Sequence, residues 1–293
     1  MNSALTAIGP GTGREARCGD ARPTSSISGV DVETLEIFEE SGVVKLSNVF
    51  TPAEAERMRD VVWRDLFHSE GVVQEDRATW RRRTPRTKLA RAKRHPVFDA
   101  LFGGPLRELA DALLGSGWST SSAYGNLLVD FPDADQWHLP GRDGFWHCDF
   151  GNYPAIDPLP ALRAFAVFGD VPPGGGATLL VAGSGRILVR YMARHPGTPK
   201  SLKAEVPWHQ EIPYLRDLTL TEVPSDPRER EVRRRRFMDT VTDVEGIPAR
   251  VIEACGRPGD VYVCHPWTIH TKAPNASDRP RFLRAPELLR RSP

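Results

Sequence analysis

The stretch "ALRAFAVFGDVPPGGGATLLVAG", residues 161–183, is two short apolar runs split by Pro172-Pro173-Gly174-Gly175-Gly176. Runs this short, bounded by Gly and Pro, read as buried strands joined by a turn. The same signature recurs in "STSSAYGNLLVDFP" and "GFWHCDFGNY" before it. It recurs again in "ARVIEAC", "DVYVCHPWTIH" and "PRFLRAP" after it, with Gly256-Arg257-Pro258-Gly259-Asp260 as further punctuation. Many short strands without alternating helices predict an all-β sandwich or barrel rather than a parallel α/β sheet. No internal repeat is visible.

Helical signals flank this core. "DVETLEIFEESGVVKLSNVF" carries a short helix ending at Ser41-Gly42, then a strand from Val43 to Val49. In "TPAEAERMRDVVWRDLFH", Thr51 caps a helix, Pro52 suits its first position and Glu54 completes a capping box. A further helix is expected from Gly104 to Leu114, stopped by Gly115. Residues 1–28 are rich in Gly, Pro, Ser and Thr and read as a disordered leader. The remainder, 29–293, reads as a single jelly-roll domain. Within it the pattern reverts to helix and charge at about 184–247, an insertion in one connection.

The chain has 293 residues, 40% hydrophobic and 26% charged, which is ordinary for a soluble globular protein with a sizeable core. A net charge of +1 argues against global attraction to nucleic acid or to an anionic membrane. Cys18, Cys148, Cys255 and Cys264 are scattered without a CxxC pair and read as thiols in a reducing compartment. The N-terminus lacks a basic start followed by an apolar run, and no segment reaches the roughly 18–20 apolar residues of a membrane span. A cytoplasmic protein is expected.

The chemistry sits in "GFWHCDFGNY", residues 144–153. In an extended segment residues i and i+2 share a face, so His147 and Asp149 can converge on one metal while Cys148 points away. Imidazole plus carboxylate, with one more His and open positions, suits non-haem Fe(II). "GDVYVCHPWTIHTKAPNASDRPRFLR" offers His265 or His270 as the third ligand. If the metal held 2-oxoglutarate, the remote carboxylate of that molecule would need a fixed cation, best an arginine. Eleven residues beyond His270 stands Arg281, whereas the same step from His265 reaches Ala276. The spacing selects His270.

The ordered set "FWHCDF", "GGATLLVAGSG", "GDVYVCHPWTIHTKAPN" and "DRPRFLR", with "FEESGVVKLSNVFTPAEAERM" at the N-terminal side, resembles the phytanoyl-CoA dioxygenase family. These are Fe(II)/2-oxoglutarate oxygenases, and the likeness runs from about Phe38 to Arg284. It implies a mainly β fold with flanking helices and a double-stranded β-helix (jelly-roll, cupin-like) core. It also implies Fe(II), the cosubstrate 2-oxoglutarate and O2. By the same resemblance His147, Asp149 and His270 would be metal ligands and Arg281 would bind the distal carboxylate of the cosubstrate. Asn126 and Thr178 stand where relatives place polar partners for it. Two positions depart from the family pattern. Lys272 stands where relatives often have a small hydroxyl residue that helps hold the cosubstrate, and Gly185 stands where many relatives have His. Halogenating relatives have a small residue at the carboxylate position, so Asp149 favours hydroxylation or another oxidation.

Other residues are open to two readings. "RRRTPRTKLARAKR", residues 81–94, is a solvated basic face or a docking point for an anionic or carrier-linked substrate. "DPREREVRRRRFMDTVTDVEG" reads as a surface helix with charges three and four apart. Trp208 and His209 would anchor the insertion or contact substrate. His138 is a loop residue at the pocket mouth with a tentative substrate role, and Trp267 has the same tentative role. Trp146 and Phe150 read as core.

The expectation is an oxygenase that hydroxylates a small organic molecule, with a tailoring step in natural-product biosynthesis as its setting. Desaturation, cyclisation or epimerisation would use the same iron site. Rivals from other classes are a non-catalytic metal-binding jelly roll and a nucleic-acid-associated protein using residues 81–94. Arg281 argues against the first, and near-neutral charge without a stacking motif against the second.

Overall fold

A computed structural model of the chain describes residues 30–80, 89–120, 125–149, 157–196 and 208–291. The expected leader, the first part of the basic stretch (81–88) and Phe150 lie outside these residues.

Helix α1 (Val32–Ser41) ends at Gly42, whose φ of 69° is the left-handed conformation that glycine adopts without strain. Strand β1 (Val43–Leu46) follows. Helix α2 (Pro52–Glu70) opens on the capping box expected of "TPAE": Thr51 Oγ1 accepts from the Glu54 amide, and the Glu54 carboxylate accepts from the Thr51 amide. Helices α3 (Ala90–Lys93) and α4 (Gly104–Leu114) complete the N-terminal layer, α4 stopping at Gly115 as expected.

Then come β2 (Ser119–Thr120), β3 (Asn126–Asp130), β4 (Ala161–Val167) and β5 (Thr178–Ala182). The insertion contains α5 (Ser184–Arg194), α6 (Trp208–Glu211), α7 (Pro213–Thr219) and α8 (Pro227–Arg234), with one π turn over Arg235–Asp239. On α8, Glu231 pairs with Arg234 and Arg235, the expected three- and four-residue spacing. The block ends in strand rather than helix. Strand β6 (Thr242–Val244) turns at Glu245-Gly246, with φ of 54° and 80°, into β7 (Ile247–Glu253). The chain closes with β8 (Val261–Cys264), β9 (His270–Lys272), β10 (Arg281–Ala285) and β11 (Glu287–Leu289).

Two antiparallel sheets result among the described residues. One has the order β1-β8-β4-β10-β3, with β11 also on β4 and β2 on β11; the other runs β6-β7-β5-β9. Alternation along the strands sorts side chains into layers. Leu162, Ala164 and Ala166 of β4, Val129 of β3 and Phe282 of β10 pack on the N-terminal helices beside Met58, Leu66 and Leu109. Leu179 and Val181 of β5 pack on the insertion beside Leu188, Leu215 and Trp208. Each such fully buried aliphatic side chain stabilises by about 1.5–3 kcal/mol. The remaining faces turn toward each other, packed by Phe165, Leu180 and Tyr262. This facing pair of sheets, with helices outside both, is the jelly-roll, double-stranded β-helix arrangement.

Two strand expectations change. "DVYVCHPWTIH" is split into β8 and β9 around Pro266, and the described part of "GFWHCDFGNY", 144–149, has a bridge from His147 to His270 in place of a strand. No helix among the described residues is long and apolar enough to cross a membrane.

Candidate metal centre

The bridge is reciprocal: His147 N donates to His270 O at 3.0 Å, and His270 N donates to His147 O at 2.7 Å. It sets the 145–149 segment on the β9 edge. Trp146 and Cys148 turn into the apolar layer beneath, while His147 and Asp149 face a cavity of about 630 Å³ between the sheets. That volume is in the range of small-molecule sites. The parity argument therefore holds although the segment is not a regular strand.

Ligand atoms of His147, Asp149 and His270 all lie within 4.8 Å of one another, the one such cluster among the described residues. His147 Nδ1 donates to Phe145 O at 2.9 Å, and His270 Nδ1 donates to Thr268 O at 2.9 Å. Because a carbonyl only accepts, each ring carries its proton on Nδ1 and presents the Nε2 lone pair. These Nε2 atoms lie 4.0 Å and 3.5 Å from Asp149 carboxylate oxygens. Burial pushes the His270 imidazole down to about 4, with Asp149 opposing, so the ring is in its neutral, ligating form. Two imidazoles presenting Nε2 and a carboxylate, with cavity on the open side, fit Fe(II).

Sequence reasoning missed Arg163. From β4 its Nε lies 2.7 Å from Asp149 Oδ2, its Nη1 donates to Ala285 O at 3.0 Å, and its Nη2 lies 2.5 Å from Glu287 Oε1. Its signal was available: a single charge inside the apolar run "ALRAFAV". Phe165, two residues on, packs edge-on against the His270 ring at 5.3 Å.

Arg281 is 3% exposed and lines the same cavity. Its Nη1 donates to Gly176 O at 2.7 Å, its Nη2 pairs with Asp130, and its Nε has no partner among the described residues. A buried guanidinium with an unmet donor beside the cluster fits a dicarboxylate ligand. Asn126 and Thr178 line the cavity too, as does His138, whose Nε2 lies 2.9 Å from Asp143 Oδ2.

Trp208 and Trp267 stand elsewhere. Both are buried in the apolar layer under the insertion and neither lines the cavity, so their tentative substrate role gives way to packing. His209 next to Trp208 is buried against Thr219. His265 also lies outside the cluster. A Cβ at Gly185 would meet its ring at 2.8 Å, so His265 fills the space a side chain at 185 would need. Gly185 is therefore a packing feature and does not line the cavity.

No curated protein matches the chain. Among solved structures it is similar to the non-heme alpha ketoglutarate dependent carbocyclase SnoK from nogalamycin biosynthesis, at 17% identity over 89% of this chain and 84% of that one, TM-score 0.49. It is similar to EvdO2 from Micromonospora carbonacea var. aurantiaca complexed with 2-oxoglutarate, at 16% identity over 91% and 93%, TM-score 0.49. It is also similar to HygX from Streptomyces hygroscopicus with nickel and 2-oxoglutarate bound, at 17% identity over 89% and 87%, TM-score 0.48. The phytanoyl-CoA dioxygenase (PhyH) family matches residues 38–283, a span that contains the His-Asp-His cluster and Arg281. The chain therefore belongs to the phytanoyl-CoA dioxygenase family and is an Fe(II)/2-oxoglutarate-dependent oxygenase that consumes O2.

Proposed function

We propose that the chain hydroxylates a small organic molecule held in the cavity beside His147, Asp149 and His270, as one domain spanning 29–293. The observation that carries this reading is the convergence of a two-imidazole, one-carboxylate cluster and a buried arginine on a single cavity.

In it, His147 and His270 hold iron through Nε2 and Asp149 through a carboxylate oxygen. Bound iron with 2-oxoglutarate and O2 supplies the oxidising power, the cosubstrate leaving as succinate and CO2. The chain's own share is orientation. The carbonyls of Phe145 and Thr268 fix both imidazoles, Arg163 fixes Oδ2 of Asp149, the oxygen facing His270, and Arg281 holds the far end of the cosubstrate. Thr178 and Asn126 add polar contacts on the same wall, and Phe165 excludes water beside His270. His138 and Asp143 at the cavity edge orient substrate. A carboxylate at position 149 leaves no room for a halide, which favours hydroxylation over halogenation.

Family breadth and an Arg-, Ala-, Gly- and Pro-rich composition favour a cytoplasmic tailoring step on a natural product. The test is anaerobic addition of Fe(II) and 2-oxoglutarate. The weak visible charge-transfer band of the chelate is expected, followed by succinate formation when O2 is admitted. Absence of both sinks the reading.

A further inference from the structure

The arginine assigned to the cosubstrate is already engaged. Asp130 on β3 lies directly across from Arg281 in the β3–β10 register, 2% exposed in its side chain, and pairs with its guanidinium. An incoming distal carboxylate would therefore meet a cation that an internal carboxylate has neutralised. Lys272 on β9 stands on the same cavity wall with its side chain 36% exposed. Its Nζ lies 3.4 Å from Asp130 Oδ1 and 2.5 Å from Asp133 Oδ2. Asp133 is itself tied down, accepting from the Asn275 amide at 2.7 Å. Among the described residues, two cations, Arg281 and Lys272, and two anions, Asp130 and Asp133, meet around this end of the cavity. With an uncharged residue at 272 the balance would be negative, and a second carboxylate entering beside Asp130 would be repelled. The low-dielectric setting makes such an imbalance costly.

We propose that Lys272 is a positioning residue for 2-oxoglutarate: it takes over Asp130, which releases Arg281 to the distal carboxylate of the cosubstrate. The exchange frees Arg281 Nη2, and the distal carboxylate would accept from it and from the neighbouring Nε, which has no partner among the described residues. An uncharged side chain at 272 could not offset Asp130, so Lys272 and Asp130 form a matched pair. The proposal rests on the reading above that iron and Arg281 bind 2-oxoglutarate.

The test is titration of Fe(II)-loaded protein with 2-oxoglutarate under argon, read by the charge-transfer band and by calorimetry. Lys272→Ser should weaken binding roughly 10- to 100-fold, the effect of one lost charge at a partly buried site. Lys272→Arg should stay within about threefold of the parent. Asp130→Asn in the Lys272→Ser background should recover most of the loss. Binding of 2-oxopentanoate, which lacks the distal carboxylate, should be indifferent to all three changes, an outcome that a merely structural role would not give. Unchanged affinity in Lys272→Ser, no recovery in the double variant, or equal weakening for 2-oxopentanoate would each overturn the proposal while leaving the iron reading intact. If the parent protein binds no 2-oxoglutarate, both fall. Should the Asp130 variant not fold, Lys272→Ser compared across the two oxo acids decides alone, because residue 272 is half-exposed.

Discussion

Arg233 and Arg281 are both buried, yet the two ends of the molecule use them differently. Arg233 on α8 donates to four main-chain carbonyls: Leu139 O at 3.5 Å, Pro140 O at 3.1 Å, Asp217 O at 3.1 Å and Leu218 O at 2.5 Å. It ties the insertion to the loop that leads into the metal segment. Arg281 instead has one carbonyl, one carboxylate and one idle donor. Carbonyls fixed in the backbone cannot be exchanged for a ligand, whereas a side-chain carboxylate can be. The first guanidinium is built as a clamp, and the second has the make-up that the proposed receptor role requires.

The largest effect that would sharpen this contrast lies at the metal. His147→Ala or His270→Ala should abolish Fe(II)-dependent succinate formation, and turnover at the parental rate in either would remove that ring from the site. Next, Arg281→Ala paired with Asp130→Asn, which avoids an uncompensated buried charge, should raise the 2-oxoglutarate requirement at least about tenfold. Arg233→Ala should do the reverse. It should lower unfolding free energy by about 2–4 kcal/mol, by denaturant melt, with the cosubstrate requirement unchanged. If the two phenotypes coincide, the distinction between clamp and receptor is lost.

A smaller effect concerns acid stability under the insertion. Thr219 Oγ1 donates to Leu215 O, so it accepts from His209 Nδ1, and a second proton on that ring would be buried among apolar groups. Burial pushes His209 from about 6.5 down to about 4. The folded state thus binds fewer protons than the unfolded one in that window. Stability should be full above pH 6.5, decline as pH falls toward 4 and flatten below it. His209→Gln should shrink that decline in melts at pH 7 and pH 5. The smallest effect is expected for His265→Ala: a modest loss of stability from the space left beside Gly185, with iron affinity unaltered.

Much of this was legible in the chain because local chemistry and global role agreed. The "TPAE" cap, the Gly42 and Gly115 stops and the i, i+2 parity of His147 and Asp149 all act over a few residues. Arg281 was legible through its distance from His270. What escaped depended on contacts between segments distant in sequence. Arg163 meets Asp149 from another strand, and Asp130 meets Arg281 only through the β3–β10 register. Trp208 and Trp267 were open to two readings because an aromatic ring serves equally as packing or platform, and only the layer it points into decides. Strand β6 was hidden by the helical charge pattern immediately before it.

The paired main-chain contacts between His147 and His270 join points almost half the chain apart. A growing polypeptide emerging from the ribosome therefore has no complete iron-binding face until its last strands have docked.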